Sequence, residues 1–96
     1  MYVHIALFRW KKDVKKDRVN KILQDIRQLK NKIEGITDIF CGENFSPYSK
    51  GLTHAVVVIA ENGDALQRYK DYPIHIELAD EIAKIEEYGI GVDFKA

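Results

Sequence analysis

The sequence predicts an α+β domain of the ferredoxin-like type, in which four antiparallel strands form one sheet and helices cover one of its faces. Strand-like and helix-like apolar patterns follow one another in the order β-α-β-β-α-β. A proline at position 73 divides the second helix in two. The length of 96 residues is that of a single domain, so residues 1–96 are expected to fold as one unit.

The first half of the chain supplies two strands and a long helix. Residues 2–10, YVHIALFRW, are rich in β-branched and aromatic side chains and predict the first strand. A helix is predicted over about 14–33, and Gly35 behind it is typical of a helix C-terminus. Residues 36–42 predict the second strand. The helix presents one apolar stripe, which consists of Val19, Ile22, Leu23, Ile26, Leu29 and Ile33.

The second half begins with a loop, GENFSPYSKG, over residues 42–51. The apolar run THAVVVIA over residues 53–60 is the strongest strand pattern in the chain. A short helix is predicted over about 64–71, with Asp64 as its N-cap.

Pro73 ends this helix and begins the next one. Proline cannot donate the hydrogen bond that a helix interior needs, but it is favoured at the first helical position. It also moves Tyr72 out of helical geometry. A helix is therefore predicted over about 73–86, followed by a strand in YGIGVDFK. The positions of the helix that are expected to be buried are Ile74, Leu78, Ile82 and Ile85, and the strand alternates through Ile90, Val92 and Phe94.

Two strands lack the alternation expected of a sheet with one face in water. AVVVIA and IALF are apolar at consecutive positions, so both faces of these strands need to be buried. The helices cover only one face. A second copy of the same sheet is the simplest cover for the other, which predicts a homodimeric α+β barrel.

Charge and composition exclude several classes of function. The chain has no net charge, although residues 1–50 carry 11 Lys/Arg against 6 Asp/Glu, and residues 51–96 carry 4 against 9. The basic segment RWKKDVKKDRVNK is expected to be a solvated helix face, because a neutral chain lacks the positive balance of a nucleic-acid binder. No nucleic-acid partner is expected.

The single cysteine, Cys41, cannot form an internal disulfide or a cysteine zinc site. A single cysteine without a disulfide partner suits a reducing compartment, and we expect a cytoplasmic protein. No apolar run reaches the roughly 18 residues that span a bilayer, so no membrane partner is expected. The three histidines do not have the spacing of a metal motif and no phosphate loop is present, so neither a metal nor another cofactor is expected.

Five short segments resemble the stress-responsive A/B barrel family, the dimeric α+β barrel or Dabb domains. They are HIALFRW, GENFSP, GLTHAVVV, YKDYPIH and GVDF, and together they cover essentially the whole chain. The resemblance implies ferredoxin-like protomers that pair sheet to sheet as homodimers. It also implies a range of functions, from stress-associated proteins without known catalysis to a plant polyketide cyclase that closes a ring by an intramolecular aldol step.

The resemblance to the cyclase implies a catalytic pair, Tyr69 and His75, in a cavity between sheet and helices. His4 and His54 match its accessory cavity histidines. Family members commonly read His-Pro-x-His, whereas this chain has Tyr72 in place of the first histidine. We expect His4, His54, Phe8 and Tyr72 to line the ligand cavity.

The chemistry of these residue types agrees with the implied roles. An imidazole at position 75 can act as a base near neutral pH, and a phenol at position 69 can donate a hydrogen bond to a developing enolate. Structural roles remain open as alternatives: His4, His54 and His75 as satisfied histidines, and Tyr69 and Phe8 as core aromatics.

Two functions therefore remain open. The first is a homodimeric small-molecule-binding or stress-associated protein, whose ligand is a small hydrophobic or carbonyl compound. The alternative is a cofactor-free enzyme acting on a carbonyl substrate, with His75 as base and Tyr69 as oxyanion donor. We expect the enzyme hypothesis to fail if side chains fill the space beside these residues and to survive if a cavity of roughly 300 Å³ or more opens there.

Overall fold

The structure, a computed structural model, describes all 96 residues. Four strands and three helices follow the predicted order, with the second predicted helix divided at Tyr72–Pro73. A 3-10 turn over Leu29–Asn31 extends the first helix. The elements are β1 Tyr2–Trp10, α1 Lys16–Gln28, β2 Ile36–Glu43, β3 His54–Ala60, α2 Gly63–Asp71, α3 Pro73–Ile85 and β4 Glu86–Lys95.

The four strands form one antiparallel sheet in the order β2-β3-β1-β4, which confirms the predicted ferredoxin-like fold. β1 and β3 are the central strands, and their apolar runs are the ones that lack alternation. The inner face of the sheet packs against the helices around a core of 18 buried residues. The predicted stripe of α1 lies in this core, from Val19 to Ile33.

The boundaries of three elements, α1, α2 and β4, differ from the prediction. α1 begins at Lys16 rather than near residue 14, and its last turn tightens to 3-10 geometry before Gly35, which has φ +88°. The N-cap of α2 is Asn62 and not Asp64, because the Asn62 side chain accepts a hydrogen bond from the Ala65 amide at 2.9 Å. β4 begins directly at Glu86, without an intervening loop.

The outer face of the sheet is apolar and has no helix on it. Register places Ile5 opposite Val57 on one side and Val92 on the other, so these three side chains share the outer face. The same face carries large exposed side chains from β2 and β4, namely Phe40, Tyr88, Ile90, Val92 and Phe94. No helix of the chain is both long and apolar enough to cross a membrane.

Candidate functional site

A cavity of about 200 Å³ lies between the inner face of the sheet and the helices. This volume falls between the two expected outcomes for the enzyme hypothesis, because side chains do not fill the space but the cavity is smaller than roughly 300 Å³. Four of the residues predicted for the site meet here: His4, Phe8, Tyr69 and His75. The remaining lining residues are Ala6, Ile26, Val56, Ala79, Ile82 and Glu86.

The break between α2 and α3 brings Tyr69 and His75 together. Tyr69 lies in the last turns of α2, and His75 lies in the first turn of α3. Tyr72 between them has extended backbone, φ −63° and ψ 128°, as expected of a residue before proline. The chain therefore turns, and the two ring centroids lie 4.3 Å apart with their planes at 45°.

The hydrogen bonding of His75 fixes which of its nitrogens can act. Its Nδ1 lies 3.1 Å from the Lys70 carbonyl oxygen, which can only accept, so Nδ1 carries the proton. Nε2 is then the unprotonated nitrogen. Burial lowers the pKa of His75 below the usual 6.5, against the opposing effect of the Lys70 carbonyl. The imidazole is therefore neutral at pH 7, as a general base must be.

The Tyr69 ring is almost fully buried, with 1% of its surface exposed. Burial raises the pKa of its phenol well above the usual range, so the hydroxyl stays protonated and can donate. No protein group is hydrogen-bonded to this hydroxyl. No side-chain nitrogen or oxygen without a hydrogen-bond partner is sealed off from solvent, and Tyr69 is one of the residues that line the cavity.

A short chain of hydrogen-bonded polar side chains adjoins Tyr69 and His75. His4 Nδ1 donates to Asp93 Oδ1 at 2.5 Å, and Lys70 Nζ donates to Asp93 Oδ2 at 2.5 Å. Lys70 is the main reason that the pKa of Asp93 lies below its usual value. Since His4 donates through Nδ1, its Nε2 is unprotonated in the neutral ring. The His4 ring lies 6.0 Å from that of Tyr69.

Sequence reasoning did not identify Lys70, Asp93 and Glu86 as part of the site. The alternation of β4 contained a signal for Asp93, because it places Gly89, Gly91 and Asp93 on the face opposite Ile90 and Val92. The pairing of β1 with β4, which the predicted fold implies, then sets Asp93 beside His4.

Two predicted lining residues do not lie at the cavity. His54 is buried beside Trp10, whose indole N–H donates to His54 Nδ1 at 2.9 Å. Burial lowers the pKa of His54, so its imidazole is neutral at pH 7. A neutral, hydrogen-bonded histidine corresponds to the structural role that the sequence left open as an alternative. Tyr72 lines a separate, mostly charged surface groove of about 530 Å³, together with residues such as Asp64 and Arg68.

The comparison with known families agrees with the fold. Residues 3–96 match the family described as the stress responsive A/B barrel domain, Dabb. The chain belongs to this family. A search of curated protein sequences gives no match to the Dabb domain described here.

Solved structures share the fold of this Dabb domain over nearly its whole length. A dimeric ferredoxin-like protein of unknown function from Thermobifida fusca is 26% identical, with a TM-score of 0.86, covering 99% of this chain and 90% of that chain. An Arabidopsis thaliana protein is 22% identical, with a TM-score of 0.88, covering 100% of this chain and 95% of that one. The hydroxynitrile lyase from Passiflora edulis is 20% identical, with a TM-score of 0.86, covering 97% and 90%.

The arrangement in the Dabb domain can support acid–base chemistry on a small, mostly apolar molecule. A neutral imidazole and a protonated phenol lie in contact at one wall, and the walls between them and Glu86 are largely aliphatic or aromatic. No group of three or more His, Cys, Asp or Glu side chains is arranged to hold a metal ion.

Proposed function

We propose that this Dabb domain is a homodimer that binds a small carbonyl compound in the cavity between sheet and helices. The observation that carries the proposal is that Tyr69, whose hydroxyl has no hydrogen-bond partner in the protein, lines an apolar cavity beside a neutral His75. A ligand oxygen that accepts a hydrogen bond from this hydroxyl would satisfy it. The volume of about 200 Å³ favours a ligand smaller than most drug-sized molecules.

The outer face of the sheet supports the homodimer. Single exposed apolar side chains are common, but a continuous apolar face is rare on a monomer. Here Phe40, Tyr88, Ile90, Val92 and Phe94 are all exposed on one side of the same sheet. Structural neighbours with the same fold are described as dimeric, among them the protein from Thermobifida fusca. In a homodimer, the outer sheet face of the second copy, which is equally apolar, would cover this face.

Cofactor-free catalysis is a second candidate, and the fixed tautomer of His75 favours it. Nε2 of His75 removes a proton from the carbon next to the ligand carbonyl, and the C–H electron pair forms the enolate. The Tyr69 hydroxyl donates a hydrogen bond to the enolate oxygen. The enolate carbon then attacks a second carbonyl of the same molecule, and the resulting alkoxide takes the proton back from His75. The fold can host an enzyme, as the hydroxynitrile lyase shows.

Acetophenone in D₂O tests both candidates, because its methyl protons exchange through the enolate. Amide shifts around the cavity, followed by NMR during titration, report binding. Loss of the methyl proton signal over time reports proton removal. We expect His75→Asn to abolish the enzyme-dependent exchange and Tyr69→Phe to slow it about 100-fold, as for loss of one oxyanion donor. Tyr72→Phe, outside the cavity, serves as the matched control and should leave both readouts unchanged.

The outcomes separate the two functions. Binding without exchange supports the binding protein and rules out the enolate chemistry. Exchange that His75→Asn does not change also rules it out. If millimolar acetophenone and its para-substituted relatives produce no shifts at the cavity, carbonyl binding itself is wrong.

A further inference from the structure

The cavity has a second polar end, which neither His75 nor Tyr69 reaches. Glu86 lines the cavity together with Phe8 and directly follows the last residue of α3, whereas His75 lies in the first turn of that helix. His4 lies four residues away from Phe8 along β1. At about 3.3 Å per residue, the Cα atoms of these two β1 residues are about 13 Å apart. The cavity is thus bounded by the imidazole–phenol pair on one side and by a carboxylate on the other, with apolar walls between.

A β-bulge turns Glu86 toward the cavity. From Tyr2 to Arg9, β1 pairs with β4 in one register, and that register would set Trp10 opposite Glu87. The register shifts between Arg9 and Trp10, so that Trp10 lies opposite Glu86 instead. Glu87 accepts a hydrogen bond from Arg9 Nε at 2.8 Å, whereas Glu86 lines the cavity. Two adjacent glutamates therefore have different surroundings.

Glu86 is half-buried as a residue, and its carboxylate has no ion-pair or hydrogen-bond partner in the protein, unlike that of Glu87. The carboxylate lies over Gly89: a Cβ at position 89 would come within 2.6 Å of Glu86 Oε2. The absence of a side chain at Gly89 therefore leaves room for the carboxylate in this position.

From this geometry we infer that Glu86 selects ligands bearing a hydrogen-bond donor, a hydroxyl or an ammonium group, at the end opposite the carbonyl. An unpartnered carboxylate at the wall of an apolar cavity would lose water without replacement against an apolar ligand end, whereas a donor on the ligand would form a charge-assisted hydrogen bond with it. The inference rests on the proposed function, because it assumes that the carbonyl lies at Tyr69 and His75. It makes Glu86 a specificity residue and gives it no part in proton transfer from carbon.

Three ketones of similar size test the inference by titration calorimetry at pH 7: 4′-hydroxyacetophenone, 4′-(aminomethyl)acetophenone and 4′-methylacetophenone. We expect the wild-type protein to bind the two donor-bearing ketones at least fivefold more tightly than the methyl compound. Glu86→Leu should reduce this preference to less than twofold. Glu86→Gln keeps an acceptor without the charge, so it should retain the preference for the hydroxyl and lose that for the ammonium.

Two further variants control for indirect effects. Gly89→Ala keeps Glu86 but displaces its carboxylate, and it should lower the donor preference as Glu86→Leu does. Glu81→Gln changes an exposed glutamate of α3 outside the cavity and should leave all three affinities unchanged. If the wild type binds the three ketones equally, or if the preference survives in Glu86→Leu, the inference is wrong while carbonyl binding stands. If no ketone binds, the proposed function is wrong as well.

Discussion

At the residue scale, the ring and the hydroxyl of Tyr69 have separate roles. The ring is part of the core, packed against His75 with only 1% of the residue exposed. The hydroxyl has no hydrogen-bond partner in the protein, and Tyr69 lines the cavity. Removing a buried hydroxyl that is hydrogen-bonded leaves its partner unsatisfied and costs about 1–3 kcal/mol, but this hydroxyl leaves no such partner behind.

Tyr69→Phe is therefore expected to change the free energy of unfolding by less than about 0.5 kcal/mol, within the range of changes that break no interaction. Ligand affinity and proton exchange should fall in the same variant. Urea denaturation at a fixed protein concentration measures the first quantity. A loss of 2 kcal/mol or more, on the scale of a broken buried hydrogen bond, would show that the hydroxyl is structural.

His75 makes a second residue-scale prediction, which concerns pH. Its pKa is lowered in the folded protein, so between pH 6.5 and that lower value the unfolded chain binds a proton that the folded protein does not. Stability must therefore fall as the pH falls through this window and level off below it. Each unit of pKa depression corresponds to about 1.4 kcal/mol.

Unfolding free energies of the wild type and His75→Asn, compared at pH 7.5 and pH 5.5, test this prediction. The wild type should lose more stability on acidification than the variant. His54, whose pKa is also lowered by burial, keeps its own contribution in both proteins and so cancels in the difference. Equal losses in the two proteins would mean that His75 is not held neutral by the fold.

At the scale of elements, the sequence allowed the type and order of every helix and strand to be predicted. Apolar periodicity determines both, and the α1 stripe and the β3 run contain enough residues to be unambiguous. Boundaries were less predictable, because hydrogen bonds of single side chains decide them. Asn62 and Asp64 are both good N-cap residues, and only the position of the Ala65 amide distinguishes them.

The cap of α2 gives a prediction that separates these two residues. Asn62→Ala removes the acceptor of the Ala65 amide and should destabilise the protein by about 1 kcal/mol. Asp64→Ala removes only a charge near the helix N-terminus and should cost a few tenths of a kcal/mol. Thermal or urea unfolding of the two variants side by side measures the difference. Equal effects, or a larger one for Asp64→Ala, would contradict the observed cap.

The candidate site was predictable only in part, for a reason that also belongs to this scale. Tyr69 and His75 are close in sequence and flank a proline break, so their meeting follows from local geometry. Glu86 enters the cavity because a bulge shifts the β1–β4 register by one residue, and no sequence pattern marks that bulge. His54 was expected at the cavity, but the Trp10 indole holds it elsewhere.

At the scale of the whole molecule, the sheet has two apolar faces, and the helices cover only one of them. The cavity lies between the inner face of the sheet and the helices, so the proposed ligand site and the proposed dimer interface are on opposite sides of the same sheet. This separation allows the assembly to be tested without changing the cavity lining. It also provides a matched pair of isoleucines with almost equal exposure, Ile90 at 38% on the outer sheet face and Ile74 at 37% on α3.

Ile90→Asp places a carboxylate on the outer sheet face, within the proposed sheet-to-sheet interface, where it would be buried without a partner. Both protomers carry the change, so a penalty of about 3 kcal/mol for each unpaired buried charge weakens the dimer roughly 10,000-fold. Light scattering at micromolar concentration should therefore show a dimer for the wild type and a monomer for Ile90→Asp. Ile74→Asp adds the same charge on the helical side and should remain dimeric. A monomeric wild type, or dissociation by both variants alike, would contradict pairing through this face.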